Sequence, residues 1–224
     1  MAPFIISLKT TGVATLIAFV LGIYGARLVI ACDKRWRGLI DGVFTLPMVL
    51  PPTVVGFFLL LIFGKNSFIG KFLLSLGIQV IFSWSATVIA ATVVAFPLMY
   101  RTVRGAFEQM DENIVLAART LGMSERKIFW KITVPLSWPG IVAGTVLAFA
   151  RALGEFGATL MIAGGIPGKT QTMPLAIFFA AESGDMEKAL VWVLLLIAVS
   201  FTSILLLNYW NQIQAGFKAG RRGK

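Results

Sequence analysis

The sequence of 224 residues contains no histidine and a single cysteine, Cys32, and these two shortages narrow the chemistry open to it. Without histidine the chain lacks the commonest metal ligand and the usual proton shuttle near neutral pH. One cysteine excludes an internal disulfide and any metal site built from several cysteines. A Gly-Lys-Thr sequence occurs at 168–170, but the P-loop spacing needs a glycine at 163, where the chain has alanine, so the sequence shows no site for ATP. It therefore predicts no catalytic residue, no metal site and no cofactor in this chain.

Charged residues are scarce as well. They make up 13% of the chain and hydrophobic residues 58%, whereas soluble domains contain about 25% charged residues. The bilayer is therefore the expected solvent. The net charge of +10 would suggest nucleic acid in a soluble protein. In a membrane protein, such a positive charge is typical of an excess of Lys and Arg in the cytoplasmic loops, and we favour that interpretation. The expected partner is therefore membrane lipid and not nucleic acid.

A spanning helix needs about 20 mostly apolar residues, and five segments meet that requirement. They are 8–31, 40–63, 80–101, 138–163 and 188–210. The N-terminal run lacks the pattern of a cleaved signal peptide and is interpreted as the first span. The sequence Leu46–Pro52 contains three prolines, so the second span is predicted to be kinked or broken. A short helix from Pro174 to Ala181, ending near Gly184, is predicted to be re-entrant or interfacial. The fold class is an all-α membrane protein with five, at most six, transmembrane helices in one domain, 1–224.

Lys and Arg are distributed unequally between the two sets of loops. Thirteen of them lie in the segments 34–37, 101–131 and 218–224, and five lie in the opposite loops. The richer side is expected to be cytoplasmic, which places the N-terminus outside and the C-terminus inside. The segment 105–137 then faces the cytoplasm.

The segment 105–137 is predicted to contain two short amphipathic helices. Asp111 can cap the first, Gly122 can end it in a left-handed conformation, and Ser124 can cap the second. Pro135 is expected to end the unit. An apolar stripe of Ile128, Phe129 and Ile132 could enter a groove on a partner, and the alternative is a helical loop lying on the membrane surface.

This segment, LAARTLGMSERKIFWKITVP, resembles the cytoplasmic loop of bacterial ABC importer permeases. Their pattern is Glu-Ala-Ala, three residues, Gly, nine residues, Ile, one residue, Leu-Pro. The matching residues here are Ala117, Ala118, Gly122, Ile132 and Pro135, whereas Leu116 replaces the Glu and Val134 replaces the Leu. The resemblance implies that these residues, with Ser124, couple the chain to a separate ATPase subunit that binds ATP and Mg.

Two further stretches, 46–64 and 144–177, resemble the molybdate permease subunits and the related tungstate and sulfate permeases. The similarity extends over nearly the whole chain. It implies a non-enzymatic permease that imports molybdate or tungstate by alternating access, in the plasma (inner) membrane of a bacterium or archaeon. The implied partners are a second copy of the chain, two ABC ATPase subunits and an extracytoplasmic oxyanion-binding protein. A sulfate or thiosulfate permease is the alternative within the family.

Five residues are candidates for the pathway or gate: Pro51, Pro52, Thr53, Arg151 and Glu155. Arg151 and Glu155 are four residues apart and can pair on one helix face. Glu155 is the only acid well inside a span, and such charges pair with one another or line a pathway. The pair is either purely structural or part of a gate, and the proline break serves either packing or the pathway. A stand-alone secondary carrier using Glu155 as its ion site is the main alternative outside the family.

Overall fold

The computed structural model describes residues 1–222, with side chains up to residue 205 and at Tyr209; the basic positions 218–224 used for orientation lie beyond these side chains. Within this part of the chain all regular structure is helical. The α-helices are α1 (Ala2–Ala31), α2 (Lys34–Val49), α3 (Pro52–Phe63), α4 (Phe68–Ser75), α5 (Trp84–Glu108), α6 (Glu112–Thr120), α7 (Glu125–Ile128), α8 (Val134–Leu136), α9 (Trp138–Leu153), α10 (Gly157–Ala163), α11 (Met173–Glu182) and α12 (Met186–Arg222). A π-helical turn, Phe129–Thr133, connects α7 to α8.

The core of the bundle is formed by α1, α5 and α9. Alanines supply much of its buried surface: Ala14, Ala18, Ala26, Ala91, Ala95, Ala148 and Ala152. Small residues let helix backbones approach closely. Close packing of this kind drives helix association in a membrane, because apolar side chains are already solvated by lipid and gain little from burial against each other. A Cβ atom on Gly22 of α1 would lie 2.6 Å from Cγ of Met99 of α5, so these two helices are in direct contact.

Three helical segments are long and apolar enough to cross a membrane: α1, α5 and the Met186–Leu205 part of α12. Two bent helix pairs raise the total to five. They are α2 with α3, bent by 113°, and the Glu125–Leu136 segment with α9, bent by 71°. The prediction of five spans agrees with this count if each bent pair is one span, and the predicted break in the second span is confirmed. Among the described residues no helix is a candidate for a sixth span, since α11 has only ten residues.

The predicted boundaries are corrected at several places. The first span begins at Ala2, not at residue 8, and the third occupies Trp84–Glu108, not 80–101. The segment 138–163, predicted as one helix, is divided at residues 154–156 into α9 and α10. The connecting helix predicted at Pro174–Ala181 is confirmed as α11, and Gly184 follows it with φ of +80°.

The contacts define two ends of the bundle. At one end, the Trp84 indole donates to the Thr10 hydroxyl at 3.0 Å, and the Phe82 N–H donates to the Ile162 carbonyl at the end of α10. At the other end, Arg37 of α2 pairs with Glu108 of α5. The segment 109–137 emerges at this second end. The N-termini of α3 and α10 consequently begin inside the bundle, between its two ends.

Candidate functional site

The first helix of the loop, α6, has the ends predicted from the sequence. The Asp111 carboxylate accepts the Asn113 backbone N–H at 2.9 Å and so caps its N-terminus. Gly122 has φ of +74°, and its N–H donates to the Arg119 carbonyl at 2.9 Å. The next N–H, of Met123, donates to the Ala118 carbonyl at 3.1 Å. This pair of bonds around a left-handed glycine is a Schellman motif, which fixes the angle at which the chain leaves α6.

The second helix begins where expected but is held differently. Ser124 occupies the N-cap position of α7, yet its hydroxyl makes no capping hydrogen bond. The two helices are instead joined by Arg119, whose Nε donates to Glu125 Oε1 at 2.7 Å and whose Nη2 donates to Oε2 at 3.3 Å. The hydrogen bond from Arg119 lowers the pKa of the Glu125 carboxyl below its ordinary value. Both side chains are exposed, so this pair orients the turn more than it stabilises it.

The apolar stripe of the second helix does not face a partner. Ile128 and Phe129 are buried in the chain's own bundle, and Ile132 is half-buried. The Phe129 ring lies 5.8 Å from the Phe107 ring, and the Arg27 guanidinium lies 4.3 Å above it. The prediction that this stripe enters a partner's groove is therefore wrong for Ile128 and Phe129. They anchor the loop to α1 and α5.

Pro135 does not end the unit either. It lies inside α8, and the helix direction changes two residues later, at Ser137. The preceding π-helical turn explains why a proline is tolerated inside this helix. Its last bond, from the Val134 N–H to the Phe129 carbonyl, spans five residues and widens the backbone just ahead of a residue that has no N–H to donate.

The accessible surface of the loop lies on α6 and the following turn. Leu116 is 51% exposed and Leu121 is 81% exposed, and Ala117, Gly122 and Ser124 are exposed beside them. Ala118 is buried and faces the bundle. Leu116, one of the two positions that depart from the family pattern, therefore adds an apolar side chain to the outer surface. We call the exposed surface of Leu116, Ala117 and Leu121 the outer face of α6.

The break in the second span is brought against the break between α9 and α10. A Cβ atom on Gly157 would lie 3.1 Å from Cβ of Pro52 and 3.3 Å from the backbone nitrogen of Thr53. A Cβ atom on Gly56 would lie 2.8 Å from Cα of Ala158. Helices α3 and α10 thus lie side by side, with both N-termini at the same level. Pro51, Pro52 and Thr53 are exposed there.

The predicted Arg151–Glu155 pair is present at this level. Arg151 Nη1 lies 2.9 Å from Glu155 Oε2, but the guanidinium N–H groups are not directed at that oxygen, so the contact is ionic and not a hydrogen bond. Glu155 Oε1 accepts the Ala158 N–H at 2.8 Å and thereby caps α10. The glutamate side chain is almost fully buried, whereas that of Arg151 is 32% exposed. The pair therefore has one buried anionic member and one accessible cationic member.

A network that the sequence analysis missed fixes α2 to α5. Asp41 accepts hydrogen bonds from the Tyr100 hydroxyl, at 2.8 Å, and from Arg104. Glu108 accepts from Arg104 Nε at 2.9 Å and pairs with Arg37. The four-residue spacing of Tyr100, Arg104 and Glu108 places them on one helix face and could have indicated the network. Helix α2 has no fully buried residue, and it is attached by these polar contacts together with the packing of Ile40 and Phe44 against the core.

Residues 18–214 match the family model of the binding-protein-dependent transport system inner membrane component. The chain is 44% identical over 207 residues to a Bacillus subtilis protein named putative molybdenum transport system permease protein YvgM, covering 92% of this chain and 91% of that one. It is 42% identical over 219 residues to the Escherichia coli molybdenum transport system permease protein ModB, covering 97% and 95%.

More distant similarities complete the comparison. A probable sulfate transport system permease protein of Chlorokybus atmophyticus is 31% identical, over 93% of this chain and 73% of that protein. Among solved structures, an inward-facing form of the MetNI methionine ABC transporter superposes with a TM-score of 0.70 at 17% identity, covering 93% of this chain and 92% of that one. At that identity the superposition supports the fold alone.

Proposed function

Because this chain belongs to the family of binding-protein-dependent transport system inner membrane components, and is an integral inner-membrane protein, we propose that it forms the permease part of an ABC importer for molybdate or tungstate. The observation that carries the proposal is the accessible Arg151 guanidinium, held by a buried Glu155 beside two helix breaks inside the spans. The sequence relatives named for molybdenum transport support the choice of substrate.

A charged side chain exposed within a span is costly if it faces hydrocarbon, so Arg151 is expected to face a water-filled path in the assembled transporter. Exposed Pro51, Pro52 and Thr53 support the same interpretation, because interrupted backbone is tolerated at membrane depth only against protein or a wet cavity. Glu155 offsets part of the Arg151 charge. A divalent oxyanion is then attracted without being held too tightly for release.

The loop is proposed to dock on a separate ATPase subunit. Its buried stripe fixes it to the bundle, and the outer face of α6, with Leu121 at its end, remains accessible for a partner. In this arrangement Ala117, Gly122 and Ser124 contribute to the docking surface, while Ala118, Ile132 and Pro135 shape its support. ATP and Mg would be bound by that partner, and movement of the loop would be transmitted to α1 and α5 through Phe129.

The complete transporter is proposed to contain two copies of this chain, two ATPase subunits and an extracytoplasmic oxyanion-binding protein. The Met186–Leu205 part of α12 is largely unburied, and α2 has no fully buried residue. These surfaces must meet lipid or another subunit. The excess of Lys and Arg on the loop side supports a cytoplasmic loop, with the N-terminus outside and the C-terminus in the cytoplasm.

A secondary carrier that uses Glu155 as its ion site is disfavoured by the contacts of that carboxylate. One oxygen caps α10 and the other is paired with Arg151, so neither is free to bind a transported cation. A sulfate or thiosulfate importer is the alternative within the family, and a more distant relative carries a sulfate name.

Uptake by the reconstituted complex tests the proposal. The chain is placed in proteoliposomes with its cognate ATPase and binding protein, and labelled molybdate, tungstate and sulfate are compared with and without internal ATP. We expect uptake of molybdate or tungstate that requires both ATP and the binding protein, with sulfate transported at least tenfold more slowly. Uptake driven by an ion gradient without ATP would refute the importer, and preferred uptake of sulfate would refute the proposed substrate.

A further inference from the structure

A cavity of about 340 Å³ lies between the loop and the bundle. Its walls come from the end of α1, which contributes Arg27, Ile30 and Ala31, and from the loop, which contributes Val115, Arg119 and Ile128. Each wall of the cavity therefore combines an arginine with aliphatic side chains. It is separate from the α3–α10 contact, which lies between the two ends of the bundle and shares no residue with it.

The arginines of the cavity carry an uncompensated charge. Arg27 is half-buried, and among the residues whose side chains are described no carboxylate lies within ion-pair distance of it. Its guanidinium is held by the face of Phe129, a contact that leaves the N–H groups at the edge free to donate. Glu125 also lines the cavity, and both of its carboxylate oxygens are bound by Arg119. The two arginines and this glutamate leave one net positive charge.

Aromatic side chains near the cavity are of the kind that concentrates at the level of the lipid headgroups. The Tyr24 ring lies 6.3 Å from the Trp130 ring, and Trp130 is 49% exposed. Tyrosine and tryptophan concentrate at the membrane–water interface, where an amphipathic ring suits both media. Arg27 follows Tyr24 by three residues on α1, about one helical turn nearer the end of the span.

We propose that this cavity binds the phosphodiester headgroup of an anionic phospholipid. The Arg27 guanidinium donates to the phosphate oxygens, and the glycerol and first methylenes lie against Ile30 and Ile128. A small inorganic anion would use only the arginines, whereas an amphiphile uses both the arginines and the aliphatic side chains. The bound lipid would lie between α1 and the loop, beside the contact that Phe129 makes with Arg27 of α1.

Lipid titration of the purified whole chain tests this proposal independently of transport. Native mass spectrometry in detergent yields the Kd for phosphatidylglycerol, with phosphatidylcholine as the zwitterionic comparison. Arg27→Gln should weaken phosphatidylglycerol binding about tenfold, the loss expected for a hydrogen bond to a charged group. The matched control is Arg35→Gln, which removes the same charge from an exposed side chain near Trp36 and should change Kd less than twofold. Phosphatidylcholine should bind about tenfold more weakly than phosphatidylglycerol.

Ala31→Leu tests the cavity by shape, because it fills the space while leaving every charge in place. It should weaken binding as much as Arg27→Gln, and it keeps the test decisive if that variant does not fold. Three results would overturn the proposal: a tenfold loss in Arg35→Gln as well, an unchanged Kd in Ala31→Leu, or displacement of the lipid by inorganic phosphate at equal concentration.

Discussion

Substitution of Gly56 tests whether α3 and α10 are in direct contact. A Cβ atom at this position would lie 2.7 Å from Cβ of Met161 and 2.8 Å from Cα of Ala158, about 1 Å closer than carbon atoms normally pack. The obstruction includes backbone, so rotation of a side chain cannot relieve it. In Gly56→Ala the two helices must separate, which costs about 1–3 kcal/mol for an overpacked core. The higher helix propensity of alanine than of glycine offsets about 1 kcal/mol of this cost.

The net destabilisation relative to the wild type is about 0–2 kcal/mol, which corresponds to a decrease in Tm of roughly 0–8 °C for a chain of this size. Thermal unfolding of the purified chain in detergent, followed by tryptophan fluorescence, measures it. The matched control is Gly42→Ala on α2, where a Cβ meets nothing within 4 Å and the helix propensity gain acts alone. Its Tm should equal or exceed that of the wild type. A Gly56→Ala chain as stable as the Gly42→Ala chain would show that α3 and α10 are not in direct contact.

Two further substitutions address the loop and the charged pair. Gly122→Val should lower anion uptake per ATP hydrolysed severalfold, because the left-handed φ of +74° costs a branched residue about 1–2 kcal/mol even though its Cβ meets no neighbour. The control, Gly105→Val at an open helical position of α5, should leave this ratio unchanged. Equal ratios in the two variants would count against the docking role of the loop. Glu155→Gln retains an acceptor for the Ala158 N–H but leaves the Arg151 charge unopposed, so uptake in proteoliposomes should show a lower KM and a severalfold lower kcat. Arg151→Gln should raise KM instead, and wild-type kinetics in both variants would remove the pair from the pathway.

Local rules were sufficient to predict the ends of α6 and the pairing of Arg151 with Glu155. A capping aspartate, a left-handed glycine and a four-residue spacing act over one helical turn, so the sequence contains the relevant geometry. The break near Pro51 was predictable for the same reason, since proline acts on its own helix.

Contacts between distant segments could not be predicted in this way. The stripe of Ile128 and Phe129 is amphipathic whether it packs on a partner or on its own bundle, and only the positions of Phe107 and Arg27 show which surface buries it. The contact of Gly157 with Pro52 joins residues more than 100 positions apart. The division of 138–163 into two helices was missed because residues 154–156 contain a glycine but no proline, and Glu155 caps the second part only after folding.

The π-helical turn at Phe129–Thr133 has a consequence for how the chain can vary in length. Such a turn holds one residue more than an α-helical turn, so removal of one residue within it would restore regular winding with the flanking segments facing nearly the same way. An additional residue would instead rotate everything before it by about 100° about the helix axis. Phe129 would then leave its place between Phe107 and Arg27, and the outer face of α6 would point in another direction. Deletions and insertions in this segment therefore have unequal consequences, and its length carries information that residue identity alone does not.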